Sequence, residues 1–149
     1  MNNNLHLSVL IPVFNDQEVL NELNTRLQKV IPSLCNSYEI LLVDDGSKDN
    51  SWTKIEELKL INPNVIGIKL MRNFGQQNAI AAGLDYVSGD VVVIMDSDLQ
   101  DKPEDIHMLI DALIKNDASM AIAKWKTRKD SFFKKFVSKL NYKLSLIHI

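Results

Sequence analysis

The sequence has 149 residues, of which 46% are hydrophobic and 24% are charged, so it is long and apolar enough to form one soluble domain with a buried core. Its formal net charge of -2 excludes a general electrostatic attraction to nucleic acid, and we expect no nucleic-acid partner. A single cysteine, Cys35, excludes an internal disulfide, and neither a secretory leader nor a run of about 18 apolar residues is present, which predicts a cytoplasmic chain that spans no bilayer.

The first predicted strand covers residues 7–14 and ends near Pro12, because proline cannot donate a hydrogen bond to a central ladder. Asn15 and Asp16 then start a helix. Apolar residues recur at helical spacing from there to Pro32, which ends the helix. We therefore expect one amphipathic helix to cover the first strand.

Two further strands are each followed by a helix, at residues 38–43, 52–60, 65–70 and 78–87. The first of these strands ends in the paired acids Asp44 and Asp45, and the small, turn-forming residues 46–51 after them allow a ligand to approach the backbone. The second strand ends in the polar loop of residues 72–77. Both strands therefore carry polar groups at their carboxyl ends.

Residues 91–95 form the most apolar predicted strand, and the polarity then changes abruptly at Asp96. Ligands bind at the carboxyl ends of the strands in an open α/β sheet. Asp96, Asp98 and the amide of Gln100 therefore form a candidate site for a hard cation, Mg²⁺ or Mn²⁺, that carries a diphosphate. The alternative is an acidic turn whose carboxylates cap the helix that begins near Pro103.

The last predicted elements are a helix over residues 106–114, a fifth strand over residues 118–123 and a basic tail. Eight of the 17 Lys and Arg residues follow Ala123. Residues 131–149 combine lysines with apolar residues at helical spacing, which predicts a basic amphipathic helix at a membrane interface. The alternative is an ordinary helix with a solvated lysine face.

Strands that alternate with helices of this length predict an α/β fold with a Rossmann-like, mainly parallel sheet and helices on both faces. Three strand ends then bring acids or amides to one edge of the sheet. Carboxylates so close together repel one another, and a bound divalent cation is the simplest compensation. The sequence has neither a G-x-G-x-x-G motif nor a P-loop, which argues against a dinucleotide or P-loop site.

Four motifs, in this order, are similar to those of the family-2 glycosyltransferases: residues 9–16, 43–49, 72–75 and 95–104. The chain resembles in particular the branch that contains dolichol-phosphate mannose synthase and bacterial undecaprenyl-phosphate glycosyltransferases. The resemblance implies a GT-A fold and a metal-dependent, inverting transfer from a nucleoside-diphosphate sugar, UDP favoured over GDP, to a polyprenyl phosphate. It also implies a nucleotide-sugar-binding domain over residues 1–130 that is incomplete at its C-terminal side.

The resemblance further implies roles for particular residues. Asp96 and Asp98 would act in catalysis, and Asp98 and Gln100 would hold Mg²⁺ or Mn²⁺. The nucleotide would be bound by Pro12, Phe14, Asp16, Asp44, Asp45, Arg72, Gly75 and Ser97. The acceptor would be bound by Arg128, Lys134, Lys135 and Ser138. The implied partners are a nucleotide-sugar donor, a lipid-phosphate acceptor and an anionic membrane surface, which would place the protein at the inner face of the plasma membrane as a peripheral protein.

Two positions depart from the family pattern. Asp16 stands where the family usually has Glu, and residues 124–126 lack the Gly and Arg that are common there. Two other functions stay open: transfer to a sugar or polysaccharide hydroxyl, and nucleotide-sugar binding without catalysis. A hydroxyl acceptor needs a general base, whereas a lipid phosphate is already ionised near neutral pH.

Overall fold

The structure, a computed structural model, describes residues 5–123. These residues form a parallel sheet of four strands: β1 (His6–Val13), β2 (Ser37–Asp44), β3 (Val65–Lys69) and β4 (Val91–Ile94). The spatial order is β3-β2-β1-β4, so β1 lies between β2 and β4. The carboxyl ends of all four strands therefore lie at one edge of the sheet.

Four helices connect or follow the strands: α1 (Leu20–Val30), α2 (Ser51–Ile61), α3 (Gln76–Leu84) and α4 (Ile106–Lys115). Parallel neighbours need such crossovers, because a tight turn can join only antiparallel strands. One-turn 3-10 helices extend α1 at Ile31–Ser33 and precede α4 at Pro103–Asp105. No helix within the described part of the chain is long and apolar enough to cross a membrane.

The helices cover both faces of the sheet, because successive strand residues point to opposite sides. Val9 and Ile11 belong to the larger apolar cluster, which contains residues of α1, α2 and α4. Leu10 belongs to a smaller cluster with Ala79 of α3. A Cβ atom on Gly83 would lie 2.3 Å from Leu10 Cδ1, so α3 packs on the sheet more closely than a larger residue would allow.

The predicted α/β fold with a mainly parallel sheet and helices on both faces is confirmed. The largest boundary difference is at α1, which begins at Leu20 and not at Asn15 or Asp16. The backbone N–H groups of these two residues donate to Ser47 Oγ and Ser51 Oγ, so they belong to the loop before the helix.

The predicted fifth strand is wrong, because residues 118–123 form no strand. Met120 and Ile122 are 74% and 79% exposed, and β4 has no neighbour on its outer side within residues 5–123. The apolar residues of this segment thus have neither a ladder partner nor a core to pack against. The predicted interfacial helix at residues 131–149 and the domain boundary at residue 130 lie outside the described residues.

Candidate active site

A cavity of about 340 Å³ opens at the carboxyl edge of the sheet. It lies where the loops after β1, β2, β3 and β4 meet, and it is lined by Pro12, Val13, Phe14, Asp16, Asp45, Asn73, Gln76, Asp96, Ser97 and Asp98. This volume falls in the range of about 300–1,000 Å³ that is usual for small-molecule sites. The cavity is thus in the place and of the size that a ligand site in an open α/β sheet requires.

The loop after β1 is fixed by reciprocal hydrogen bonds to the loop after β2. Backbone N–H groups of the first loop donate to side chains of the second over 2.9 to 3.1 Å, in the pairs Asn15–Ser47, Asp16–Ser51 and Gln17–Asp49. In return, side-chain oxygens of the first loop accept backbone N–H groups of the second over 2.8 Å, in the pairs Asn15–Lys48 and Gln17–Asn50. The two loops therefore form one wall of the cavity.

Asp45 anchors the loop after β3. Asp45 is 2% exposed, and its carboxylate accepts the backbone N–H of Phe74 at Oδ1 over 2.8 Å and that of Gly75 at Oδ2 over 2.9 Å. Gly46, at a φ of +69°, lets this loop come close, since a Cβ atom there would lie 2.4 Å from the carbonyl carbon of Arg72. Asp45 therefore holds the loop after β3, which forms the second wall of the cavity, and also lines the cavity itself.

Asp44 occupies a different environment from its neighbour Asp45. It is fully buried at the end of β2 and does not line the cavity. Asp44 Oδ1 accepts the backbone N–H of Ser47 over 3.2 Å, whereas Oδ2 has no hydrogen-bond partner among the described residues. The structure thus brings only one of the two paired acids to the cavity.

The acid-rich loop after β4 forms the remaining wall, and two other elements hold it. Ser97 donates through Oγ to Asp16 Oδ2 over 2.5 Å, and Gln76 donates through Nε2 to Asp96 Oδ1 over 2.6 Å. Asp98 Oδ1 accepts the backbone N–H of Gln100 over 2.9 Å, which closes a tight turn. Neither α4 nor the 3-10 helix before it has a side-chain cap, so these acids do not cap the next helix.

The electrostatics of this loop favour a cation. Partial burial and the charges of Asp101, Asp98 and Asp16 raise the pKa of Asp96, although the hydrogen bond from Gln76 opposes them. The donor set is of hard oxygens, which suits Mg²⁺ or Mn²⁺. Within residues 5–123, no group of three or more His, Cys, Asp or Glu is arranged to hold a metal ion.

An ion pair fixes the far end of the same loop. Arg26 of α1 donates through Nε to Glu104 Oε1 over 2.9 Å and through Nη2 to Glu104 Oε2 over 2.5 Å. This two-bond contact lowers the pKa of Glu104 from 4.5 to about 2. The loop after β4 is therefore attached to α1 at one end and to Asp16 and Gln76 at the other.

The structure brings together most of the predicted site residues. Those that line the cavity are Pro12, Phe14, Asp16, Asp45, Asp96, Ser97 and Asp98. Four others do not line it: Asp44, Arg72, Gly75 and Gln100. The predicted acceptor residues Arg128, Lys134, Lys135 and Ser138 lie outside the described part of the chain. Arg72 lies over the ring of Phe74, with its guanidinium carbon 4.9 Å from the ring centre.

Asn73 and Gln76 line the cavity, although the sequence did not identify them as site residues. Both belong to the polar loop that was predicted after β3, so the loop itself was the available signal. Gly75, at a φ of +91°, turns the chain into α3 and leaves Gln76 as the first residue of that helix. From this position the amide of Gln76 reaches Asp96 at the end of β4, the strand that follows α3 along the chain.

Comparison with known sequences gives a family match. The family model described as glycosyl transferase family 2 matches residues 8–148. The chain is 38% identical over 144 residues to the uncharacterized glycosyltransferase YkcC of Bacillus subtilis (strain 168). That alignment covers 97% of this chain and 45% of YkcC, so the chain spans less than half the length of this relative.

Comparison with solved structures identifies the same fold. The mannosyltransferase PcManGT from Pyrobaculum calidifontis, solved with GDP-Man and Mn²⁺, has a TM-score of 0.62 at 19% identity, over 70% of this chain and 30% of its own. Glucosyl-3-phosphoglycerate synthase from Mycobacterium tuberculosis, solved with Mn²⁺, UDP and glucosyl-3-phosphoglycerate, has a TM-score of 0.54 at 22% identity, over 73% of this chain and 37% of its own. The predicted GT-A-type architecture is thereby confirmed.

Proposed function

The chain belongs to glycosyl transferase family 2, and we propose that it binds a nucleoside-diphosphate sugar in the cavity and takes part in transferring the sugar to an acceptor. The observation that carries this proposal is the meeting of Asp16, Asp96 and Asp98 at one cavity on the carboxyl edge of a parallel sheet. Such a site combines a pocket of nucleotide size with a negative wall that attracts a cation.

Different residues of the cavity would contact different parts of the donor. Pro12, Phe14 and Asp16 would face the nucleobase and ribose, and Asp45 lies beside them at the adjoining wall. Asp96 would contact the donor sugar or the ribose. Asp98 and Gln100 would hold Mg²⁺ or Mn²⁺, which when bound neutralises charge on the departing diphosphate.

For the acceptor we propose a polyprenyl phosphate. An ionised phosphate oxygen would form a bond to the anomeric carbon of the sugar on the face opposite the diphosphate, while the bond from that carbon to the diphosphate breaks. The electron pair leaves with the nucleoside diphosphate, and the configuration of the sugar is inverted. No general base is needed, because an oxygen of this acceptor is already ionised near neutral pH. Arg128, Lys134, Lys135 and Ser138 would bind the acceptor phosphate beside an anionic membrane surface.

The nucleotide is proposed to be UDP on the resemblance of the motifs. Of the two solved relatives, one was solved with GDP-Man and the other with UDP, and both complexes contain Mn²⁺. A second candidate function is donor binding without catalysis by this chain alone. The observation that favours it is that the chain spans only 45% of the length of YkcC.

A thermal-shift panel tests the proposal. UDP-, GDP- and dTDP-sugars are added with and without Mn²⁺ or Mg²⁺, since a ligand that binds only the folded state raises its stability, by about 2.7 kcal/mol at 100 times its Kd. We expect stabilisation by a UDP-sugar that needs the cation, and a turnover assay with a polyprenyl phosphate then separates the two candidate functions. Absence of a shift with every donor, in the presence of either cation, would overturn the proposal.

A further inference from the structure

Gln76 connects α3 to the loop after β4 at the wall of the cavity. It is the first residue of α3, and its Nε2 donates to Asp96 Oδ1 over 2.6 Å. Within residues 5–123, Gln76 is the one side chain that is hydrogen-bonded to the carboxylate of Asp96. Both residues line the cavity, so the contact lies on its wall and not behind it.

The position of Gln76 is itself fixed by buried groups. The carboxylate of Asp45 accepts the two backbone N–H groups that immediately precede α3, those of Phe74 and Gly75. At the other end of the helix, Gly83 lies close to Leu10 of the central strand. A helix that is held at both ends presents its first side chain in a defined place.

The surroundings of Asp96 show why such a contact matters. The carboxylates of Asp16, Asp98 and Asp101 are close enough to act on Asp96 electrostatically, and Asp96 itself is exposed. A carboxylate among like charges is driven toward solvent unless a hydrogen-bond donor holds it. The amide of Gln76 is that donor, and because it is neutral it adds no positive charge that would repel a cation held by Asp98.

We propose that Gln76 is a positioning residue for the donor sugar, and that its amide holds the carboxylate of Asp96 against the cavity wall, where the sugar would lie. This inference rests on the proposed function, because it takes Asp96 to contact the sugar part of a nucleotide-sugar. Gln76 would therefore affect the binding of a nucleotide-sugar more than the binding of the free nucleoside diphosphate.

Two variants separate positioning from packing. Gln76→Ala removes the donor, and Gln76→Glu keeps the shape but places a carboxylate against Asp96. Gln77→Ala is the matched control, because Gln77 is the exposed next residue of α3 and does not line the cavity. Affinities for UDP-sugar and for UDP, or for the GDP pair if the panel selects it, are measured by calorimetry with Mn²⁺.

We expect Gln76→Ala to weaken the nucleotide-sugar about tenfold, the usual size of one hydrogen bond to a charged group, while the free nucleotide changes less than about threefold. Gln76→Glu should lose more than Gln76→Ala. Equal losses for the nucleotide-sugar and the free nucleotide, or a Gln76→Glu variant that binds as wild type does, would overturn the inference.

A measurement without any ligand distinguishes this inference from the function on which it rests. The side-chain amide signals of Gln76 in a ¹H–¹⁵N NMR spectrum should move on Asp96→Asn, whereas those of Gln77 should not. Unmoved Gln76 signals would show that the contact is absent and would overturn the inference alone. A wild-type chain that shows this contact but binds no nucleotide-sugar would overturn the proposed function, and the positioning role with it.

Discussion

Each carboxylate at the cavity already has a polar partner, and that partner determines what a substitution would change. Asp16 accepts the hydroxyl of Ser97, Asp45 accepts two backbone N–H groups, and Asp98 accepts one backbone N–H from its own turn. Asp98 is exposed, whereas Asp45 is buried. The two residues are therefore expected to differ sharply in how much each contributes to stability and how much to binding.

Asp98→Asn should abolish the effect of Mn²⁺ on donor binding and leave the fold intact. One carboxylate ligand of a hard cation is lost, but an exposed substitution at the sheet edge usually changes the free energy of unfolding by less than about 0.5 kcal/mol. Calorimetry with and without Mn²⁺, together with urea unfolding, measures both quantities. Metal-dependent affinity for the nucleotide-sugar that equals that of the wild type would contradict the assignment of Asp98 as a ligand.

Asp45→Ala should destabilise the protein and weaken both the free nucleotide and the nucleotide-sugar. The backbone N–H of Phe74 loses its acceptor, whereas that of Gly75 keeps the side-chain oxygen of Asn73. A polar group that is left unsatisfied in the interior costs about 1–3 kcal/mol, which is the upper bound for this part-buried N–H. Urea unfolding and calorimetry are the measurements, and Asp111→Ala on the exposed side of α4 is the control. Unchanged stability would mean that the loop after β3 does not depend on Asp45.

At the scale of elements, the sheet and its helices could be predicted because their signals are local. Apolar runs, turn residues and helical spacing each lie within a few residues of the structure that they specify. The acids Asp96 and Asp98 were identified for the same reason, since the polarity changes where β4 ends. The prediction of a fifth strand was wrong because a strand also needs a ladder partner, which composition alone does not reveal.

Contacts between elements could not be predicted in this way. Gln76 and Asp96 are 20 positions apart, and Arg26 and Glu104 are 78 positions apart. Whether such side chains meet depends on the strand order β3-β2-β1-β4 and on the packing of each helix, which are properties of the folded chain. The walls of the cavity are made of these contacts, so the residues that position the acids were missing from the prediction although the acids were not.

The ion pair between α1 and the loop after β4 predicts a dependence of stability on acid. The pKa of Glu104 falls from 4.5 to about 2 in the folded protein, so its stabilising effect is complete above the unfolded value and is lost as the pH falls toward about 2. Both side chains are partly exposed, so we expect a small effect that salt weakens. Thermal unfolding of wild type and Glu104→Gln should differ at pH 6, and the difference should shrink below pH 4.5.

A control separates this pair from the general effect of acid. Glu56→Gln changes an exposed carboxylate on α2, and its difference from wild type should stay nearly constant over the same pH range. Arg26→Gln should behave as Glu104→Gln does, because either substitution removes the contact. A gap between wild type and Glu104→Gln that stays constant down to pH 3 would contradict the assigned role of the pair.

Across the whole molecule, the two edges of the sheet use their acids differently. At the amino edge, Glu39 is buried and accepts the hydroxyl of Ser8 over 2.5 Å and the backbone N–H of Ser88 over 2.6 Å. Burial alone would raise the pKa of Glu39, but these hydrogen bonds outweigh it and lower the pKa. At the carboxyl edge, burial and neighbouring charges raise the pKa of Asp96. Of these two acids, the one whose charged form is disfavoured therefore lies at the edge where the proposed donor binds.

The basic segment of residues 131–149 has two candidate binding partners. Its charged residues are lysines, and Phe132, Phe133 and Phe136 lie among them at helical spacing. A membrane surface is one partner for such a segment. The described core is another, because Ile94 of β4 and Leu84 of α3 are 47% and 43% exposed at the face that carries the smaller apolar cluster.

We expect residues 131–149 to bind a membrane surface, so the chain should co-sediment with vesicles that contain phosphatidylserine. Each lysine near an anionic surface contributes about 1 kcal/mol, and burial of the aromatic rings adds to this. Lys134→Glu with Lys135→Glu should reduce binding strongly, whereas Lys29→Glu with Lys115→Glu, the same charge change at exposed sites of α1 and α4, should reduce it less. A chain that ends at residue 130 should bind no vesicles yet keep its melting temperature, because a segment that lies on the membrane contributes nothing to the core. Loss of stability in that shortened chain, with vesicle binding unchanged or absent from the start, would instead place the aromatic residues against the sheet.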